Sequence, residues 1–429
     1  MKASLLARNI ESGAFDNALN ALYREERLAY QRERYLATVQ SFIATYGDLD
    51  AELFSVPGRT EICGNHTDHN NGKVICGAVD IDIISVASPV EGGVISLKSD
   101  GYRESVVDTE KIGPETVKPG NSSSLIAGVA DKFISSGRRA GGFCAYTRSD
   151  VIMGSGISSS AAFEVLIGEI LNAFYNDEKI QPLELAIAGQ YAENVFFGKP
   201  CGLMDQAACA VGGISYIDFA DPAVPYVEKL SFDPARSGRT LCLINTGGSH
   251  AKLTDQYASL PAEMKQIASY YGKSVLRMVQ KDQFMNDISS LRAAYGDRAV
   301  LRALHYFEEN DRVERARRAI KNGDGDGFFE VIRLSGDSSF KFLQNVYCLE
   351  NVTEQGISLA LALCGTLGVT ARVHGGGFAG TVQAWPEREQ AEELKKLMES
   401  VFGKGCCMFL NIRPYGAICT SRTFEGGCR

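Results

Sequence analysis

A chain of 429 residues is longer than one ordinary core and is expected to fold as two or more domains. Hydrophobic residues at 45% and charged residues at 22% are globular proportions, which excludes the disordered and fibrous classes. A net charge of −8 offers no positive footprint for nucleic acid or an anionic membrane, and no apolar run reaches the span of a bilayer, so neither is an expected partner and the chain is expected in the cytosol.

Between residues 5 and 45, apolar positions at helical spacing (Leu19, Leu22, Leu28, Tyr30, Leu36, Val39, Phe42) predict one or two amphipathic helices. From Phe54 to about Leu97, short β-branched runs such as Ile81-Asp82-Ile83-Ile84-Ser85-Val86 predict a sheet. Helical periodicity returns over 158–174 and 182–197, and Gly212-Gly213-Ile214-Ser215-Tyr216-Ile217 predicts a further strand. Asp221-Pro222 and Asp233-Pro234 interrupt the pattern before the apolar run Thr240-Leu241-Cys242-Leu243-Ile244, which divides the chain into 1–225 and 226–429. The second half is helix-rich to about 365 and strand-rich around Thr370–Val373 and Thr381–Trp385. That order favours two α+β lobes over a doubly wound parallel sheet. Twelve cysteines, without a C-x-x-C pair or a companion histidine cluster, predict buried reduced thiols rather than a zinc or disulfide framework.

Four segments carry chemistry. Pro57-Gly58-Arg59-Thr60-Glu61-Ile62-Cys63-Gly64-Asn65-His66-Thr67-Asp68-His69-Asn70-Asn71-Gly72 gathers directional donors and acceptors that suit a polyhydroxyl ligand; by itself it also suits a solvated loop between strands. Gly154-Ser155-Gly156-Ile157-Ser158-Ser159-Ser160-Ala161-Ala162 leads into an apolar helix and reads as a phosphate cradle, since small residues let backbone N–H groups and the helix N-terminus approach phosphate oxygens. It is not a Walker A loop, and an N-capping serine run is the alternative. In Cys201-Gly202-Leu203-Met204-Asp205-Gln206, Asp205 suits a buried base, and Glu193 just before it suits a metal ligand; two ordinary helix carboxylates are the alternative. Val373-His374-Gly375-Gly376-Gly377-Phe378 reads as a tight turn between strands.

In this order the four segments resemble the galactokinase branch of the superfamily that also contains homoserine, mevalonate and phosphomevalonate kinases, over about 54–420. The resemblance implies a two-lobed α+β small-molecule kinase fold with its active site in the inter-lobe cleft. It implies that ATP phosphorylates the anomeric (C1) hydroxyl of galactose, giving galactose 1-phosphate and ADP, with Mg²⁺. Carried over to these positions, it makes Asp205 and Arg59 the catalytic pair. Glu61, Asn65, His66, Asp68, Gly202 and Tyr257 become sugar-binding residues. Gly154, Ser155, Gly156, Ser158, Ser159, Ser160, Gly375 and Gly376 hold the nucleotide, and Ser160 and Glu193 hold the metal.

The chain departs from the family pattern at five places. Asn65 replaces the glutamate aimed at the sugar's C6 hydroxyl, His69 replaces a tyrosine, and Glu61 stands where asparagine is usual. Ile152 replaces a proline, and the tryptophan and tyrosine that house adenine have no counterpart near Ser122-Ser123-Ser124-Leu125. The loss of the glutamate admits a C6-oxidised sugar such as galacturonic acid as an alternative substrate. A non-catalytic sugar and ATP sensor is a further alternative, opposed by the complete run Ser158-Ser159-Ser160-Ala161-Ala162.

Overall fold

The computed structural model describes residues 1–151, 156–199, 201–247, 254–347, 349, 352–378 and 380–424. Its N-terminal part is three helices, Ala3–Glu11, Asp16–Leu22 and Leu28–Tyr46, where sequence periodicity predicts one or two. Val39 and Phe42 of the third pack with Leu53, Ile84 and Val86 of the sheet behind them. The same helix buries Arg34, whose guanidinium reaches Asp82 at 2.7 Å, while Arg413 reaches the same carboxylate at 3.0 Å. Three distant stretches of chain are thus tied at one buried anion, and the two guanidinium groups hold Asp82 below its ordinary range against burial, which pushes it up.

The central feature is an antiparallel pair of long strands, Glu52–Cys63 and Lys73–Pro89, buried along nearly their whole length. Phe143–Ser149, Val94–Ser99 and Ser105–Asp108 extend the sheet on one side. Ile214–Asp218 pairs with the start of Lys73–Pro89, and Tyr226–Leu230 adds to it. Only Val94–Ser99 and Phe143–Ser149 pair in parallel among these strands. The helix Ser159–Tyr175 packs on this sheet with apolar residues around most of its circumference, Ala161, Val165, Leu166 and Ile170 being wholly buried.

A second, wholly antiparallel sheet runs Cys407–Leu410, Leu241–Asn245, Thr381–Trp385, Thr370–Val373. The change of sheet falls between Leu230 and Leu241, but the chain returns after Leu410: Asn411 and Ile412 pair with Asp80 and Val79, and Ile418–Cys419 edges the first sheet. This is an α+β architecture of mixed sheet and helices, and Thr370–Val373 and Thr381–Trp385 coincide with the strands expected from sequence. Among the described residues ten cysteines are free thiols, eight of them buried. Among the described residues no helix is long and apolar enough to cross a membrane.

Two irregularities aim the site. The register of Glu52–Cys63 slips between Pro57 and Arg59 and again between Glu61 and Cys63, so the strand bulges where the chemistry begins. At the first slip Gly58 lies so close to Ile157 that a Cβ would collide with its side chain, which brings strand and cradle into contact. The periodicity over 182–197 predicts one helix, but Pro182–Tyr191 gives way to a π-helical segment, Ala192–Phe197. Gly198 (φ 85°) ends it, and its N–H reaches back five residues to the carbonyl of Glu193 at 3.0 Å.

Candidate active site

Arg59 leaves the bulged strand almost completely covered, and its Nε and Nη2 donate to Asp205 Oδ1 and Oδ2 at 2.6 and 2.7 Å. Its third nitrogen, Nη1, donates to the carbonyl of Gly156. Asp205 stands in the first turn of the helix Met204–Val211, where the helix dipole favours an anion, and also accepts from Ser158 Oγ at 2.6 Å. The Asp205 side chain keeps 29% of its exposure against 8% for Arg59, so the carboxylate is the member of the pair that a ligand can reach. Burial pushes its pKa up; the charge and hydrogen bonds of Arg59 and the Ser158 hydroxyl outweigh that and hold it lowered.

Ser158 sits in left-handed backbone (φ 62°) immediately before Ser159–Tyr175, and its hydroxyl caps no N–H of the helix. It serves Asp205 instead, and the strained conformation brings Gly156 and the first helical turn to the same point. Gly154 and Ser155 of the expected cradle lie outside the described residues.

Ser160 Oγ donates to Glu193 Oε1 at 3.2 Å, and Lys199 Nζ to the same oxygen at 3.1 Å. Gln206 Nε2 bridges Glu193 Oε2 and Glu164 Oε2 at 3.1 and 3.0 Å. Among the described residues Glu164 Oε1 and Gln206 Oε1 are buried without a partner, and no group of three or more histidine, cysteine or acidic side chains able to hold a metal ion gathers there; Ser160 and Glu193 offer one hydroxyl and one carboxylate of the kind a divalent cation takes. Burial and the adjacent Glu193 push Glu164 up to about 9. The π segment is placed by Gly128, where a Cβ would lie 2.6 Å from Ala192 Cα.

The sugar-type segment divides in two. His66, Asp68 and Gly202 come together: a Cβ on Gly202 would collide with the Asp68 carboxylate, so this glycine lets the segment approach the Asp205 loop. His66, in left-handed backbone (φ 57°), meets the carbonyl of Gly376 with Nε2 at 3.1 Å and stacks on His69. Burial and the neighbouring His69 hold its pKa down to about 3, so the ring is neutral and that contact is an N–H donation. Tyr257 donates to the Gly377 carbonyl at 2.8 Å and lies flat enough on Gly376 to exclude a side chain there.

Asn65 and Glu61 lie elsewhere. Asn65, expected at the C6 end of a sugar, has all its polar capacity taken within the protein. Its Nδ2 donates to Glu61 Oε1 and to the Gly375 carbonyl, both at 2.9 Å; its Oδ1 accepts from Asn345 at 2.9 Å and Ser339 at 3.2 Å. Glu61 is likewise engaged, by Arg372 Nη2 at 2.5 Å, with burial pushing its carboxyl up in spite of that charge. The two departures from the family pattern are therefore one: carboxylate and amide have changed places across a single hydrogen bond.

Gly375 and Gly376, expected at the nucleotide, turn their carbonyls to Asn65 and His66. Sequence reasoning also missed the clamp on the loop's backbone, where His305 Nε2 donates to the Asn65 carbonyl and Glu309 accepts from Gly64 N–H, each at 2.9 Å. Their i, i+4 spacing was a signal, since it sets both on one helical face. A separate cleft of about 1070 Å³, lined by Lys229, Arg236 and Asn411 among others, shares no residue with this site.

The galactokinase galactose-binding signature matches residues 40–89, and the N-terminal domain of GHMP kinases matches 124–213. A galactokinase of Actinobacillus pleuropneumoniae serotype 3 (strain JL03) is 31% identical over 379 residues, covering 87% of this chain and 94% of that protein. This chain belongs to the galactokinase family. A Streptomyces coelicolor galactokinase is 29% identical over 368 residues, or 85% and 92% of the two chains. The crystal structure of Lactococcus lactis galactokinase complexed with galactose has the same fold, with a TM-score of 0.75 at 23% identity over 89% of this chain and 98% of that one. The crystal structure of Methanococcus jannaschii mevalonate kinase also shares the fold, with a TM-score of 0.59 at 14% identity over 85% of this chain and 98% of that one. The enzyme is accordingly a sugar kinase of this superfamily's fold.

The exchange at 61 and 65 yields a prediction for this kinase. Asn65→Glu sets a second buried carboxylate against Glu61 with one Arg372 between them, and should lower unfolding free energy by about 2 kcal/mol or more. Glu61→Asn with Asn65→Glu restores one carboxylate and one amide and should recover at least half of that loss. A double mutant no more stable in urea than Asn65→Glu alone contradicts the exchange.

Proposed function

We propose that the enzyme transfers the γ-phosphoryl group of ATP to the anomeric hydroxyl of galactose. The observation that carries this reading is the Arg59–Asp205 pair, locked in two parallel hydrogen bonds and joined to the cradle through Gly156 and Ser158. The bond from the anomeric oxygen to phosphorus forms, the bond from phosphorus to the leaving ADP oxygen breaks, and the hydroxyl proton leaves by way of Asp205. Its lowered pKa makes Asp205 a weak base, so orienting the hydroxyl is its larger contribution, as suits a loose phosphoryl-transfer transition state. Ser160 and Glu193 would hold Mg²⁺, whose chemistry is to neutralise charge on the phosphate oxygens. His66 and Asp68 would bind sugar hydroxyls, with Tyr257 along the ring and the site lying between the lobes. Glu61 and Asn65 act by positioning this loop. The cytosol is the compartment this reading implies.

The galactokinase relatives and the matching galactose-binding signature support galactose as the acceptor. The galacturonate alternative loses its main support, since Asn65 is occupied within the protein and does not stand as a neutral replacement at a sugar contact. Steady-state ADP release should be compared for galactose, N-acetylgalactosamine, arabinose and galacturonate. Galactose is expected to give the highest kcat/KM, by about tenfold or more. A preference for galacturonate would contradict the substrate assignment, and no ADP release with any sugar would contradict catalysis.

A further inference from the structure

His374 follows the strand Thr370–Val373 and is 3% exposed. Its Nε2 lies 3.0 Å from Thr60 Oγ1 and 3.3 Å from the backbone nitrogen of Glu61. The Glu61 N–H can only donate. The Thr60 oxygen already accepts from Gln383 Nε2 at 2.7 Å, which leaves the Thr60 proton to point at His374. Two donors meeting Nε2 make it the acceptor, so the ring proton resides on Nδ1. Burial first, then the positive charges of Arg59 and Arg372, hold the ring neutral.

That Nδ1–H is buried and has no hydrogen-bond partner among the described residues. Such donors are rare in folded proteins and usually mark a missing acceptor. The atom faces the cradle: a Cβ built on Gly156 would sit 2.9 Å from Nδ1 and 3.6 Å from Thr381 Oγ1. Gly156 is the residue whose carbonyl holds Arg59, the partner of Asp205. The orphan donor therefore lies at the end of the cradle that meets the Arg59–Asp205 pair.

We propose that His374 is a catalytic hydrogen-bond donor whose Nδ1–H binds an oxygen of the phosphoryl group in transfer. The inference rests on the phosphoryl-transfer reading above. A neutral imidazole fixed by Thr60 and Glu61 is pre-oriented, adds no charge that competes with Arg59 for Asp205, and strengthens its hydrogen bond as charge develops on the phosphoryl oxygens. The sequence reading assigned the following glycines to the nucleotide; here their carbonyls serve the sugar segment and the histidine beside them serves the phosphate.

The test is long-range ¹H–¹⁵N correlation spectroscopy on ¹⁵N-histidine-labelled enzyme, whose five histidines make assignment by substitution practicable. His374 is expected as the Nδ1–H tautomer in the free enzyme. Its Nδ1 resonance should move by several ppm on adding the ATP analogue AMP-PNP with Mg²⁺, and little with galactose alone or with Mg²⁺ and ADP. In kinetics, His374→Gln keeps a polar atom near Nε2 but loses the Nδ1 donor, and should lower kcat by about tenfold to a hundredfold with galactose KM within about twofold. His374→Asn carries its amide to the Nδ1 position and should stay within about fivefold of wild type. If AMP-PNP binds by calorimetry and the resonance does not move, or if ADP moves it equally, the inference is overturned and the kinase reading stands. Equal losses in both variants with raised galactose KM also overturn it, as a packing role. If no nucleotide binds the wild type, both readings fall.

Discussion

Replacing Asp205 with asparagine should lower kcat by more than about a hundredfold, the scale of losing a positioned acid–base group, while sugar affinity by calorimetry stays within about threefold. The amide keeps the carboxylate's outline, but its NH2 faces an Arg59 nitrogen that needs an acceptor. One arm of the paired hydrogen bond is lost and the guanidinium charge has no counterion. The acceptor hydroxyl then loses both its proton acceptor and its orientation. Because Asp205 is held below the ordinary carboxylate range, the acid limb of kcat/KM that it causes in the wild type should fall below about pH 4. A loss of kcat smaller than tenfold with unchanged affinity would remove Asp205 from the role assigned to it.

Arg372→Met should produce the largest loss of stability at this site, about 3–5 kcal/mol in urea unfolding near neutral pH, the range for stranding one partner of a buried ion pair. Arg372 is fully buried and donates to both the side chain and the backbone of Glu61. Methionine fills much of the volume and leaves the carboxylate without its counterion. The pH dependence has a definite sign. Glu61 is already raised by burial, and without Arg372 it rises further, so the folded state keeps a proton that the unfolded state releases near pH 4.5. The defect should therefore be small below about pH 4.5 and grow as pH rises toward neutrality. A loss under about 1 kcal/mol, or one independent of pH, would show that Glu61 is satisfied by Asn65 and other donors alone.

Much of this site was legible because its chemistry is contiguous. Residues 57–72 carry Arg59, His66 and Asp68 within one strand and turn, and 156–162 lie within one loop and helix start, so the motifs that carry the family resemblance could be read locally, while the residues' roles came from the resemblance. The strands Thr370–Val373 and Thr381–Trp385 were legible from β-branched and apolar runs bounded by glycine. What sequence could not display is pairing across the chain. Arg372 meets Glu61 from 311 positions away, and Arg413 meets Asp82 from 331. A charge in a strand or amphipathic helix reads as solvent-facing until its partner is seen, which is why Arg34, Arg372 and Glu309 escaped notice. Asn65 was placed at the sugar by family pattern, and only the geometry shows that it and Glu61 are partners in one hydrogen bond. The π-helical turn at Ala192–Phe197 escaped for another reason: one extra residue in a helix leaves its periodicity nearly intact while re-aiming the side chains that follow.

The central claim, phosphoryl transfer to the anomeric oxygen of galactose, is tested most directly by identifying the product. The purified enzyme should be incubated with galactose, ATP and Mg²⁺, and the mixture followed by ³¹P-correlated proton NMR. The account predicts one new phosphomonoester whose phosphorus couples to the anomeric proton, formed in step with ADP. Phosphorus coupled to the C6 protons, or ADP and free phosphate appearing without any phosphorylated sugar, would contradict it.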